Sequence, residues 1–433
     1  MTLSRSESRQ REKAQREKRR RRTLRISMVL IGTLLVAAAL GLTLGTKAGL
    51  PEWLSWPGGG KEQVVVNDPD GDKDGDVSPA PSDQPEATPA PDDQEIENPE
   101  ASPPAEAGTG ETSEHISLSF VGDLMPGEYI NRILLEKGYD FPYQNVLLYL
   151  SEPDIMAGNL ELPITTRGIP IEGTPYVHKG SPDALPAMKN AGFDVLSLAN
   201  NHAMDQGLEG MQDTMKYLQE AGIGYMGVGN NDAEAFAPYI AESKGFKVAY
   251  IGVSGVIPFT HLKADRNTPG IAETYETTRT VAAIASAKEE ADIVVVMVHW
   301  GKDAADKPEE LHRRYAREYI DAGADIVVGS HPHVMQGFEN YKGKWIAYSL
   351  GNFVYATNPK SPQGDTGVLD AVCNKAGDCS LKFNPMNVIQ SQPTPLEGEA
   401  KQQLLQRLSS ISFGVALDSE GSVIQQETAG KTP

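Results

Sequence analysis

The sequence predicts an α/β protein. Beyond residue 115, short runs of Val, Ile, Leu and Ala alternate with stretches whose apolar residues recur every three or four positions. That is the pattern of buried strands alternating with amphipathic helices. Five of the apolar runs also end in residues able to bind a metal. Open α/β sheets place their ligands just past the carboxyl ends of strands, and packing alone gives no reason for polar side chains at five such ends.

In chain order, residues 116–121 lead into Gly122 and Asp123, and residues 154–157 into Gly158, Asn159 and Glu161. Residues 193–199 lead into Asn200, Asn201 and His202, and residues 291–298 into His299. Residues 324–328 lead into Gly-Ser-His-Pro-His-Val, which carries His331 and His333. Pro332 disfavours the α region for His331, so an extended segment is expected, with both imidazoles on one side.

Between the strands, Leu208, Met211, Met215 and Leu218 mark a helix with Asp205 as its expected N-cap. Leu311, Tyr315 and Ile320 mark another, opening after Pro308 and ending at Gly323. His312 on that helix is read as a solvated surface residue. His115, His178 and His261 have no strand-end context and are left outside the site. Residues 341–344 read as a hairpin turn before a strand at 345–353. Further strands are expected at 367–373, 380–389 and 411–417, with a loop and short helix at 391–410 and a polar tail at 421–433.

The front of the chain differs from the body. Residues 1–25 carry 11 Lys/Arg and 3 Glu, so the net charge of −20 becomes −28 once their +8 is removed. An acidic body repels nucleic acid, and a basic tail before an apolar run is a topology signal. Residues 26–44 contain no charge and as a helix would span about 28 Å, close to the hydrocarbon core. The expectation is a cytoplasmic tail (1–25), an uncleaved membrane anchor (26–44) and an extracellular body. Small residues at Thr46 and Ala48 leave cleavage open. Residues 45–114, rich in Pro, Asp, Glu and Gly beyond residue 57, are expected to be a disordered linker. The acidic run at 70–75 resembles a calcium loop but has Pro81 where the bidentate Glu belongs, and is read as solvated linker. The only cysteines, Cys373 and Cys379, form a disulfide if the compartment is oxidising and remain two thiols if it is not.

The strand-end set is Asp123, Glu161, Asn201, His202, His299, His331 and His333. Mixed carboxylate, amide and imidazole donors suit Mn²⁺, Fe or Zn²⁺ better than Mg²⁺ or Ca²⁺. They exceed what one tetrahedral ion needs. Two ions sharing a carboxylate would use them, an arrangement suited to phosphoester hydrolysis.

The ordered motifs Gly-Asp, Asn-x-Glu, Asn-Asn-His, His-Trp-Gly, Gly-x-His-Pro-His-Val and Tyr-Ser-Leu-Gly-Asn-Phe resemble the CapA family of poly-γ-glutamate capsule synthesis proteins, related to calcineurin-like metallophosphoesterases. The likeness covers about residues 115–355 and continues to about 420. It implies a four-layer α/β/β/α sandwich. It implies one ion on Asp123, Glu161 and His333, and another on Glu161, Asn201, His299 and His331. His202 would be the general acid, and Asn352 would line the substrate pocket. Three residues depart from the pattern. Met125 stands where the parent superfamily has a histidine ligand, Glu161 where it has Asp, and Asp303 where the family has Glu, so the first ion lacks a ligand. The resemblance implies a membrane-anchored protein of capsule synthesis or export, acting on poly-γ-glutamate with other membrane proteins. Two further readings stand beside it: an exported phosphoester hydrolase acting on an envelope substrate, and a non-catalytic polymer-binding scaffold.

Overall fold

The structure, a computed structural model, describes residues 114–127 and 129–426. The expected basic tail, membrane anchor, nearly all of the linker and most of the C-terminal tail lie outside these residues. No helix among the described residues is long and apolar enough to cross a membrane.

Four parallel strands open the first sheet: β1 (Ile116–Leu124), β2 (Ile155–Leu160), β3 (Phe193–Ser197) and β4 (Gly224–Met226). Helices α1 (Asn131–Lys137), α2 (Leu147–Ser151), α3 (Ala184–Ala191) and α4 (Gly207–Glu220) connect them. After β5 (Val228–Gly229) and α5 (Asp232–Ala235) the chain enters a second sheet through the antiparallel pair β6 (Tyr239–Ser243) and β7 (Phe246–Ser254). Strand β8 (Gly270–Ile271) pairs with β5 alone. Helices α6 (Thr278–Glu290) and α7 (Glu310–Ala322) then alternate with β9 (Ile293–His299) and β10 (Ile326–Ser330), followed by β11 (Phe338–Tyr341) and β12 (Lys344–Ala347). The second sheet runs β11-β12-β10-β9-β7-β6. The chain returns to the first sheet as β13 (Asn352–Val354), parallel to β1, and closes it with β14 (Asp365–Cys373), β15 (Cys379–Ile389), β16 (Gln392–Pro395), α8 (Gly398–Ile411), β17 (Val415–Leu417) and β18 (Ser422–Gln425).

Strand periodicity explains the layering. Ile116, Leu118 and Phe120 share one buried cluster with Val248, Tyr250, Val295 and Met297, so the two sheets pack face to face. The alternate residues Val294, Val296 and Val298 pack on Ile284, Tyr319 and Ile320 of α6 and α7. On the other sheet, Val121 and Leu124 pack with Leu134, Leu185 and Met211 of the connecting helices. Strands covered on both faces need continuous apolar runs rather than alternation, which is what the sequence carries. Each fully buried Val or Ile side chain contributes about 1.5–3 kcal/mol.

Register brings the strand ends into line. Asp123 pairs with Asn159 and Asn352, and Asn159 with Ser197. In the second sheet Ser254, His299 and Ser330 form one row. Two glycines permit close approach there: a Cβ on Gly122 would collide with the carbonyl of Gly351, and one on Gly329 with that of Tyr348.

Several local expectations need correction. The run 345–353 is not one strand: it breaks at residues 348–351 and its two ends join different sheets. Gly351, at φ +65°, makes that turn. The strand expected at 411–417 shortens to β17 because the preceding helix runs 14 residues, to Ile411. Asp205 does not cap α4, whose N-cap is Gln206 with no side-chain bond. His312 is not solvated. Its side chain is 12% exposed and its ring lies 5.3 Å from that of Trp300.

Candidate metal centre

Asp123 and Glu161 are fully buried. Asp123 Oδ1 accepts from Asn159 Nδ2 at 2.8 Å, but Oδ2 has no hydrogen-bond donor. Neither oxygen of Glu161 has one. Buried polar atoms are almost always paired, and an unpaired buried carboxylate is among the costliest groups a fold can hold. Burial, and then the charge of Asp123, push the Glu161 carboxyl well above its ordinary range. A cation between these groups removes both penalties.

The imidazoles facing Glu161 come from the second sheet, and Asn201 from the turn after β3 of the first. His299 Nε2 lies 2.7 Å from Asn201 Oδ1, 3.1 Å from His331 Nδ1 and 3.4 Å from Glu161 Oε1. Ligands held at about 2.1 Å by one ion sit roughly 3.0–3.4 Å from each other; the His331 and Glu161 spacings fall in that range, and the 2.7 Å to Asn201 is that of a direct hydrogen bond. Ser330 Oγ stands 2.9 Å from His299 Nδ1. Asn159 Nδ2 lies 3.3 Å from the same nitrogen; where Ser330 accepts an Nδ1 proton, the Nε2 lone pair is free for a metal. Burial first, then neighbouring imidazoles, hold His299 well below its ordinary pKa and His331 down to about 4. Both imidazoles are therefore neutral at neutral pH.

His333 completes the other half, with Nδ1 3.2 Å from Asp123 Oδ2 and Nε2 3.8 Å from Glu161 Oε1. Burial pushes its pKa down, but the Glu161 and Asp123 carboxylates outweigh burial and lift it to about 10. Asn352 is buried and accepts from His333 Nδ1 at 2.9 Å. It orients the imidazole instead of lining the cavity. His331 and His333 do not lie in an extended segment. Their φ angles are +95° and +57°, a left-handed geometry costing about 1–2 kcal/mol per residue, of the kind that concentrates at functional sites.

The seven strand-end residues gather at one edge. Asp123, Glu161 and His333 form one cluster of donors, and Glu161, His299 and His331 another that shares the glutamate. Met125 is buried in the apolar cluster of the first sheet and donates nothing. Asp303 is exposed, with Oδ1 3.3 Å from His331 Nε2.

Beside the donors lies a cavity of about 510 Å³, lined among others by Asn201, His202, His331, His333, Tyr355 and His178. His202 Nδ1 meets Asp205 Oδ2 at 2.7 Å. With that carboxylate accepting from Nδ1, Nε2 is the ring atom left for a ligand. Asn200 Oδ1 accepts the His202 N–H at 3.1 Å, and its amide donates to Asn159 Oδ1 at 3.1 Å, which ties the His202 turn to β2. The sequence reading missed Asp205 and His178 as parts of this wall. The i,i+3 spacing of His202 and Asp205 was a usable signal, whereas His178 sits in an irregular segment and is placed only by long-range contacts. Elsewhere, His261 stacks on Phe259 at 5.5 Å and lines a separate cavity. Cys373 and Cys379 are joined by a disulfide across the β14–β15 hairpin, at the end of β1 remote from Asp123.

The chain is similar to the PGA biosynthesis protein CapA of Bacillus subtilis (strain 168), 33% identical over 66% of this chain and 76% of that protein. The capsule biosynthesis protein CapA of Bacillus anthracis is 33% identical over 66% and 70% respectively. A probable polyglutamine synthesis accessory protein of Mycobacterium tuberculosis (strain CDC 1551 / Oshkosh) is 29% identical over 57% and 68%. Among solved structures, the NAD nucleotidase NadN of Haemophilus influenzae aligns at 12% identity and a TM-score of 0.37 over 71% of this chain and 64% of that one, too distant to inform the chemistry. The family model described as bacterial capsule synthesis protein PGA_cap matches residues 117–357, more than half of the sequence, and the chain belongs to that family.

Proposed function

We propose that the chain is a membrane-anchored extracellular protein of poly-γ-glutamate capsule synthesis or export whose folded body, residues 115–420, holds two divalent transition ions, Mn, Fe or Zn. The buried Glu161 carboxylate, without a donor and flanked by three histidines, carries the metal reading. Asp123, Glu161 and His333 hold one ion. Glu161, Asn201, His299 and His331 hold the other. Such ions, once bound, polarise a phosphoryl oxygen and acidify a water. The chain's own residues do the rest. Asn352 and Ser330 orient His333 and His299. His202, held by Asp205, offers Nε2 to the cavity as a proton donor for a leaving oxygen. Residues 26–44 anchor the body outside the cell and residues 45–114 tether it, with poly-γ-glutamate or another envelope molecule as substrate and capsule-synthesis membrane proteins as partners.

A second reading, a polymer-binding scaffold without turnover, is favoured by one observation: Met125 lies in the core and the first ion has only three protein donors. Elemental mass spectrometry of the full-length protein, with His331→Ala and His333→Ala alongside, tests the metal reading. About two transition ions per chain, lost in part in each variant, are expected. No bound metal after Mn²⁺ or Zn²⁺ is supplied overturns it. Turnover of an aryl phosphate that falls in His202→Ala at unchanged metal content separates hydrolase from scaffold.

A further inference from the structure

The cavity holds a residue that this reading leaves unused. His178 is 5% exposed, yet it borders the cavity. Its backbone is pinned to the His202 turn from both sides: the N–H donates to Asp205 Oδ2 at 2.7 Å, and the carbonyl accepts from Gln206 Nε2 at 3.1 Å. Its ring meets that of His202 edge-on, centroids 4.5 Å apart, and that of Tyr129 at 5.2 Å. The ring borders the cavity, with one nitrogen within 4.8 Å of ligand atoms of His202 and Asp205. Burial, and then His202, bring its pKa down to about 4, so the ring is neutral at neutral pH. Tyr129 and Tyr176 border the same cavity, and each residue is more than half exposed. Aromatic faces left open at a cavity mouth mark a place where a flat apolar group is taken up.

We propose that His178, Tyr129 and Tyr176 form a leaving-group subsite beside His202, which takes the planar, uncharged organic part of a phosphoester. The inference rests on the phosphoester reading above. A flat ring packs against the tyrosines, and the neutral imidazole meets one polar atom on it. An anionic group placed there gains no cation from His178 and lies close to the buried Asp205 carboxylate. The subsite therefore selects against a charged leaving group.

Calorimetric titration of the full-length, Mn²⁺-loaded protein with phenylphosphonate and methylphosphonate tests this. The phenyl compound should bind about tenfold tighter, the gain of one ring on two aromatic faces. His178→Ala should bring the ratio to about threefold or less. Tyr129→Ala, at an exposed position that cannot disturb the core, should do the same. Equal affinity of the native protein for both compounds, with the ions in place, overturns the subsite alone. A ratio unchanged in both variants also overturns it. Binding of neither phosphonate by protein shown to contain its ions overturns the phosphoester reading, and the subsite with it.

Discussion

Glu161 and Glu339 are both buried glutamates, one at the shared edge of the two sheets and one on β11. Glu339 brings its own partners. Arg317 Nε donates to it at 3.0 Å, Arg313 lies at 3.4 Å, and the Tyr348 hydroxyl donates at 2.7 Å. Asp325 is solved the same way, by Lys288 and Lys344 at 2.8 Å each and the Val294 N–H at 2.9 Å. Glu161 has three imidazoles nearby and no donor aligned to it. The structural carboxylates carry their cations in the sequence, whereas Glu161 has none aligned to it, the place the proposed ion would take. Burial is nearly the same in both regions, so burial does not distinguish them; the missing partner does.

The largest expected effect breaks the comparison at the metal. Glu161→Ala should lose both ions, because one carboxylate serves the two clusters, whereas Asn201→Ala should lose only part of one. Glu339→Gln should keep its metal. Equal metal retention in Glu161→Ala and Asn201→Ala would sink the shared-carboxylate assignment. Stability should show the reverse order. Glu339→Gln strands two guanidinium groups and should cost about 2–4 kcal/mol, nearer the lower figure because Arg317 is 37% exposed. In metal-free protein, Glu161→Gln removes a buried carboxyl that has no hydrogen-bond donor and repels Asp123, at the loss of the 3.8 Å contact with His333, and should be nearly neutral. Chemical unfolding of both variants decides this. A comparable loss in the two would erase the distinction between the regions.

His178 sharpens the comparison with a buried base beside Asp205 whose backbone N–H, and not its ring, bonds that carboxylate. Its pKa of about 4 in the fold lies below the ordinary histidine value of about 6.5. The fold therefore excludes the proton. Its contribution to stability is complete above about pH 6.5 and is lost as pH falls towards 4, a total of about 3 kcal/mol. His178→Gln cannot take up that proton, so metal-free variant and native protein should converge in stability between about pH 7 and pH 4.5. Parallel urea-unfolding profiles over that range would show that His178 is not shielded as the structure places it.

The sheets and the shared edge were legible because both are periodic features. Apolar runs of five to seven residues encode strands, and parallel strands put their carboxyl ends on one side. The strand-end pattern therefore brings Asp123, Glu161, Asn201, His299, His331 and His333 to one edge. What periodicity cannot carry is a conformation set by tertiary contact. His331 and His333 take left-handed backbone angles that no local propensity favours, so an extended segment was the natural and incorrect expectation. The 345–353 run breaks because Gly351 turns between sheets, which an apolar run does not announce. His178 carries no local signal because its place depends on Asp205, 27 residues away, and local rules assign Asp205 to a helix cap.

Asn352 gives the smallest effect and the most specific one. It was expected to face substrate, yet it is buried, with Oδ1 on His333 Nδ1 and its amide on the carbonyls of His333 and Gln363. A side chain that fixes a ligand's tautomer without touching the ion typically changes metal affinity by about 10–100-fold. Because His333 belongs to only one of the two clusters, Asn352→Ala should weaken one ion by about tenfold, about 1.4 kcal/mol, and leave the other unchanged. Stepwise chelator titration of the metal-loaded protein resolves the two. A single step shifted in Asn352→Ala makes it an orienting residue of the Asp123 cluster. Two steps shifted together would mean that the clusters are not separable through Glu161. Unchanged steps, with weaker phosphonate binding, would return Asn352 to the substrate side.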